Sequence, residues 1–183
     1  MTTAFNILAA LVIAALSMGA APTQKPLIDI RNGSMEEVAP GQTLPVGYYR
    51  WGDSLAAVDR TVTFEGKPSV KVLLRGTREV AGIVQQPAST VPEGKICRFR
   101  VRVRTHRLDG HVQLIIFRYP MPDTEYQELQ PPQRLSGTND WTILEALVPA
   151  KKGGDSFQVR MMVEGTTGRA WFANFEATVE DKR

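Results

Sequence analysis

Cysteine and histidine are nearly absent: the 183-residue chain holds one cysteine and two histidines. Cys97 alone can form neither an intramolecular disulfide nor a thiolate metal cluster. His106 and His111 flank a turn signal and make no ligand triad, and no HExxH or Cys-His cluster occurs, which argues against metal catalysis. There is no GxSxG element, so a hydrolase nucleophile elbow is excluded. No window carries the 3.6-residue period of a long amphipathic helix. The one long apolar run, residues 7–18 (ILAALVIAALSM), is shorter than the roughly 20 residues needed to cross a bilayer.

That run is followed by Gly19, Ala20 and Ala21, the small residues of a cleavage site, and it reads as a secretory signal peptide over residues 1–21. Its opening MTTAFN contains no Lys or Arg, which departs from the usual pattern. The expected location is therefore secreted or periplasmic, with membrane attachment only if the leader stays uncleaved. No cysteine follows the run, so a lipid anchored there is excluded. The remainder, 22–183, has the size of one domain. At 43% hydrophobic and 22% charged residues the whole chain has the composition of a folded globular protein. A net charge of +3 makes it mildly basic without selecting nucleic acid, which is not an expected partner.

From Leu27 onward the hydrophobic period is two. In Ile96 to Thr105, Phe99, Val101 and Val103 alternate with Arg98, Arg100, Arg102 and Arg104, so one face of that strand is core and the other is wet. His106 to Gly110 (HRLDG) predicts a hairpin turn into a second strand, His111 to Tyr119. Further strands are expected at Leu27–Arg31, Tyr48–Gly52, Thr61–Phe64, Ser69–Arg75, Ala81–Gln86, Thr142–Val148, Phe157–Val163 and Ala170–Val179. Reversals are expected at Glu65–Pro68, Pro92–Gly94, Ser136–Asn139 and Lys152–Asp155. The predicted class is all-β: a β-sandwich of two antiparallel sheets, with one long irregular loop from Pro120 to Pro132.

The order of short motifs adds a family resemblance. Asn32-Gly33-Ser34-Met35-Glu36 is followed by the aromatic stretch VGYYRWGD and by Gly66-Lys67-Pro68-Ser69. Then come a Trp-led strand from Trp141 to Pro149 and the closing Gly168-Arg169-Ala170-Trp171-Phe172-Ala173-Asn174. This order resembles the family 4/9-type carbohydrate-binding modules, CenC-like and galactose-binding-like, and spans about Leu27 to Val179. The resemblance implies a jelly-roll β-sandwich that binds carbohydrate without catalysis. In the family an early Glu and a late acid pair help to hold a structural calcium. Here Glu36 is present and the pair stands as Ala173 and Asn174, which removes most of the charge compensation for calcium, and no cofactor is expected.

The side chains expected to meet a ligand follow from both lines. Tyr49 and Trp51 share one strand face, with Tyr48 on the other, while Tyr119 and Tyr126 flank the long loop; each offers a flat apolar ring for a sugar. Trp141 and Trp171 sit in alternating strands and are expected in the core. The stripe Arg98, Arg100 and Arg102 either grips an acidic glycan or is a solvated face neutralised by acids such as Glu145 or Glu164. Asp53, Asp59, Glu125, Glu128 and Glu145 supply carboxylates, yet no acidic strand motif groups them as a glycosidase requires. The expected function is an exported polysaccharide-binding domain. The alternative is an envelope protein-interaction or structural sandwich with no sugar site.

Overall fold

A computed structural model describes residues 28–52, 55–88, 90–120, 125–151 and 155–181. The leader expected over 1–21 lies outside the described residues. Among the described residues seven strands follow in chain order: β1 (Tyr48–Trp51), β2 (Leu55–Phe64), β3 (Lys67–Gln85), β4 (Lys95–Pro120), β5 (Gln127–Leu129), β6 (Leu135–Pro149) and β7 (Asp155–Asp181). All pairings are antiparallel. The hydrogen-bonded order is β1-β3-β7-β4-β5, with β2 also on β3 and β6 also on β4. No helix occurs among the described residues.

The expected strands are present but longer, and several fuse. Ser69–Arg75 and Ala81–Gln86 belong to the single strand β3, and Phe157–Val163 and Ala170–Val179 to β7. Residues 28–31 form no strand. Part of the loop expected from Pro120 to Pro132 pairs as β5 against Ile116, Phe117 and Arg118. Of the expected reversals, Glu65-Gly66 is a two-residue hairpin turn, with φ of 50° and 77°, that closes Phe64 onto Lys67.

The hairpin expected at His106–Gly110 does not form. β4 runs straight through it and stays paired with β7 on both sides, His106 opposite Arg169 and His111 opposite Glu164. Gly110, with φ of 135°, bends the strand there instead of reversing it. A Cβ on Gly110 would lie 2.0 Å from the Glu164 carbonyl oxygen, and one on Gly168, φ 104°, would lie 2.3 Å from that of Arg107. Only glycine lets the two backbones approach so closely at the bend. Gly137 occupies the corresponding place in β6, so Ser136–Asn139 is likewise an irregularity within a strand. β3 has its register shift between Arg75 and Glu79.

These irregularities line up across the sheet and fold it over on itself. One half comprises β2 with 67–75, 95–106, 139–149 and 167–181; the other comprises β1 and β5 with 79–85, 109–120 and 155–165. The β-sandwich is thus one continuous sheet with two facing halves, not two separate sheets. Cys97, Phe99, Val101 and Val103 before the bend in β4 share a single buried cluster with Val112, Leu114 and Ile116 after it. Phe99 of the first half meets Phe157 of the second edge to face, with ring centroids 5.2 Å apart, and stacks on Phe175 at 6.3 Å. Cys97 is fully buried, and burial pushes its thiol well above the usual range, so it packs as a small hydrophobe.

The Asn32–Glu36 segment also serves the fold. Asn32 donates from its amide to the Glu37 carbonyl at 2.7 Å and accepts from the Glu37 N–H at 3.1 Å. The Phe175 N–H donates to the Gly33 carbonyl at 2.8 Å. Met35 is completely buried.

Candidate functional site

Directly paired residues in an antiparallel sheet point to the same side, so register alone assembles the outer face of the half containing β1 and β5. One row reads Tyr49, Val84, Arg160, Ile115; the next reads Trp51, Gly82, Met162, Gln113. Phe117 lies between Gln158 and Glu128, and Tyr119 is opposite Ser156. Four residues proposed from the sequence, Tyr49, Trp51, Tyr119 and Tyr126, therefore sit on one side of the molecule. Tyr49 is 62% exposed and Tyr126 59%, while Tyr48 faces inward at 6%.

This face has its own apolar cluster. Ile115, Phe117 and Met162 are buried together, and Trp51 and Tyr119 pack against them. Tyr126 extends the ring set, with centroids 5.4 Å from Phe117 and 6.1 Å from Tyr119. The guanidinium of Arg160 lies between two rings, its central carbon 4.7 Å from the Trp51 centroid and 3.9 Å from that of Phe117. Its Nε donates to Gln158 Oε1 at 3.1 Å.

Beside the rings runs a groove of about 630 Å³, with Trp51, Ile115 and Met162 on its apolar side and His111, Gln113, Glu128, Arg134 and Glu164 on its polar side. Arg134 Nε donates to Gln113 Oε1 at 2.9 Å, and Arg78 pairs with Glu164 at 2.7 Å. His111 Nε2 is buried without a hydrogen-bond partner among the described residues. Burial, and then the positive charge of Arg134, hold the His111 imidazole below its usual pKa, while Glu164 pulls the other way. Apolar rings next to convergent donors and acceptors in a shallow cleft make a surface suited to a polyhydroxylated, flat-faced ligand.

Arg98, Arg100 and Arg102 lie on the outer face of the opposite half and cannot reach this groove. Arg98 pairs with Glu145 at 2.8 Å and Glu180 at 2.6 Å, and Arg100 with Glu145 at 3.3 Å. Arg102 stacks on Phe64 with its guanidinium carbon 5.0 Å from the ring centroid. Of the two acids considered for the stripe, Glu145 is in place, whereas Glu164 belongs to the other face. Trp171 is buried, but on this outer face, where its Nε1 donates to Asp59 Oδ2 at 3.0 Å. Trp141 is only half-buried, edge-on to Phe64 at 5.4 Å. Burial opposes ionisation of Asp59, yet bonds from Thr61, Trp171 and Val62 outweigh it and hold its carboxyl far below the usual range.

Glu36 is engaged by Lys67 at 3.2 Å, and Asn174 donates to Glu176 at 2.7 Å. Among the described residues no group of three His, Cys, Asp or Glu side chains is placed to hold a metal ion. Phe117 and Arg160 are the site residues that the sequence reading missed. The available signal was the unbroken apolar run Leu114-Ile115-Ile116-Phe117, because a strand apolar at consecutive positions covers both of its faces.

A β-sandwich with an aromatic cluster beside a polar groove on one outer face is the class that fold and site define. No protein-family model and no curated protein matches the chain. Solved structures do. The CBM22-1–GH10 modules of Clostridium thermocellum endo-1,4-beta-D-xylanase 10B, complexed with xylohexaose, superpose with a TM-score of 0.63 at 12% identity over 86% of this chain. This chain spans only 29% of that protein. The CBM22-1 xylan-binding domain of Paenibacillus barcinonensis Xyn10C gives 0.58 at 14% identity over 87% of this chain and 100% of the domain. TmCBM61, in complex with beta-1,4-galactotriose, gives 0.50 at 15% identity over 87% of this chain and 100% of the module. At such identities the likeness establishes a shared β-sandwich fold.

Proposed function

We propose that this chain is a non-catalytic polysaccharide-binding domain that holds a glycan along the groove beside Trp51, Phe117, Tyr119 and Tyr126. The observation that carries the reading is the convergence of these rings, from two strands and a loop, beside a row of polar side chains on one face. The known ligands of the structural neighbours, xylohexaose, xylan and beta-1,4-galactotriose, support a glycan as the occupant. Stacking would supply most of the affinity, and the amide and charged groups of Gln113, Glu128 and Arg134 would orient the hydroxyls. The carboxylates available for catalysis are divided between the two outer faces. Asp59 and Glu145 lie on the arginine side, bonded to Trp171 and to Arg98, and Glu128 lies on the groove side. Besides Glu128 the groove is lined by Asp109 and Glu164, and these are engaged by the Thr166 hydroxyl and by Arg78, which supports binding without hydrolysis.

The leader-like segment at 7–18 supports export as the setting, and the folded-over sheet supports a jelly-roll reading of the sandwich. Affinity electrophoresis against xylan, galactan and uronate-containing polymers tests the proposal. Retarded migration that Trp51→Ala abolishes is the expected result. No retardation by any polymer at millimolar sugar would overturn it and leave the protein-interaction reading in its place.

A further inference from the structure

On the groove face two rings hold one cation in a fixed orientation with hydrogen-bonding capacity unused among the described residues. Arg160 is stacked on both sides by Trp51 and Phe117, at 4.7 and 3.9 Å, so its planar group can donate only at its edges. Nε is occupied by Gln158. No described residue accepts a hydrogen bond from either Nη, and no described carboxylate forms an ion pair with Arg160. Of the other cations of this face, Arg78 is paired with Glu164, and Arg134 donates through Nε to Gln113 but stacks on no described ring.

We infer that Arg160 reads a carboxylate on the polysaccharide, so that the domain selects uronate-bearing chains over neutral ones; this inference rests on the glycan reading of the same face. The two rings fix the orientation of the fork, and its free edge matches the two oxygens of a carboxylate in a bidentate bond. Partial burial between the rings strengthens that bond relative to one in open solvent. The groove itself is close to charge-balanced, with Arg78 and Arg134 against Asp109, Glu128 and Glu164. Long-range attraction to acidic polymers is therefore small, and the preference arises from contact. Glu128, opposite Phe117 on β5, repels a carboxylate at that end and favours placing the uronate toward β1.

The test is isothermal titration of the intact protein with polygalacturonate, glucuronoxylan and the carboxyl-reduced form of each, with neutral galactan and dextran sulfate alongside. We expect at least one uronate polymer to bind about tenfold or more tightly than its carboxyl-reduced form. Arg160→Gln should remove that difference, so that native and carboxyl-reduced forms bind alike. Arg160→Lys keeps the charge but loses the fork, so it should lose most of the preference. Melting curves establish that both variants are folded, and either one that folds decides the question.

Equal binding of native and carboxyl-reduced polymers overturns the uronate assignment while leaving the glycan face intact. A preference that survives both Arg160 variants, or equal binding of dextran sulfate, also overturns it. Binding of no polymer at all removes this inference and the glycan reading together.

Discussion

The two outer faces of the folded sheet handle strand-exposed side chains in opposite ways. On one, charge is neutralised internally: Arg98 and Arg100 share Glu145, Arg98 also takes Glu180, and Asp59 is bonded by Thr61, Trp171 and Val62. On the other, rings and aliphatic groups collect with no described residues covering them, and a guanidinium is held between two of them with its outer edge unpartnered among the described residues. A face whose charges are largely met by its own carboxylates has little need of a ligand. A face that leaves apolar area and directed donors open retains free energy for one. The unusual run of arginines drew attention in the sequence, but its leading member Arg98 is spent on Glu145 and Glu180, whereas the inconspicuous Arg160 is oriented by two rings with no described acceptor at its Nη groups.

The strongest way to break this contrast is to cut what both faces share. Phe157 joins the halves through its edge-to-face contact with Phe99 and is fully buried. Phe157→Ala should cost about 3–5 kcal/mol in urea unfolding and weaken glycan binding as the groove face loses its support. A loss below about 1 kcal/mol would mean that the two halves do not depend on one another.

Asp59→Ala separates the faces. It strips the bonds to Trp171 at 3.0 Å, to the Thr61 hydroxyl at 2.6 Å and to the Thr61 N–H at 2.9 Å, and should cost about 2–3 kcal/mol with glycan affinity unchanged. Because its folded pKa lies below the unfolded one, its contribution is fully present above the ordinary carboxylate range. That contribution fades as acid approaches the folded value, so the variant should lose less stability than wild type between about pH 5 and pH 2. Trp51→Ala should show the converse. We expect about tenfold or greater loss of polysaccharide affinity by titration, with a smaller effect on unfolding, since Trp51 only packs against the edge of the second cluster.

The double variant Arg98→Ala/Arg102→Ala calibrates the arginine side. Its ion pairs are solvent-accessible, so a loss of about 1 kcal/mol or less and no change in affinity for any glycan, acidic ones included, is expected. Weaker binding of uronate polymers by this variant would return the acidic-ligand role to the stripe.

Much of the fold was legible because alternation at Phe99, Val101 and Val103 reports which side of a strand is buried. The mid-strand bends were not, since Asp109-Gly110 carries the same local chemistry whether the chain reverses or kinks. What decides between them is the neighbouring strand: Gly165 and Gly168 admit the close approach of the Asp109 and Arg107 carbonyls. That pairing is separated by more than fifty residues and no local window contains it. The same limit explains the site. Tyr49, Trp51, Tyr119 and Tyr126 could each be named as exposed-ring candidates, but their assembly on one face depends on the register of β1 with β3, β3 with β7 and β7 with β4. The arginine stripe was visible within one strand, whereas its neutralising Glu145 and Glu180 come from β6 and β7.

The smallest expected effect concerns the polar end of the groove and asks whether charge balance there is part of the fold. The groups facing His111 are Glu164 on β7, itself paired with Arg78, and Arg134, whose positive charge disfavours a protonated ring. Its folded pKa is held below the ordinary value of about 6.5. The unfolded chain therefore takes up the proton first, and stability is fully present above that value and declines as pH falls toward the folded pKa. Urea midpoints measured from pH 7.5 to pH 5 should fall for the wild type and stay flatter for His111→Gln, which cannot titrate. The aromatic side of the groove contains no group that ionises in this range, so Trp51→Ala should keep the wild-type slope. If His111→Gln and wild type lose stability in parallel, the pH sensitivity lies elsewhere and the neutral imidazole is not part of what holds this end of the face together.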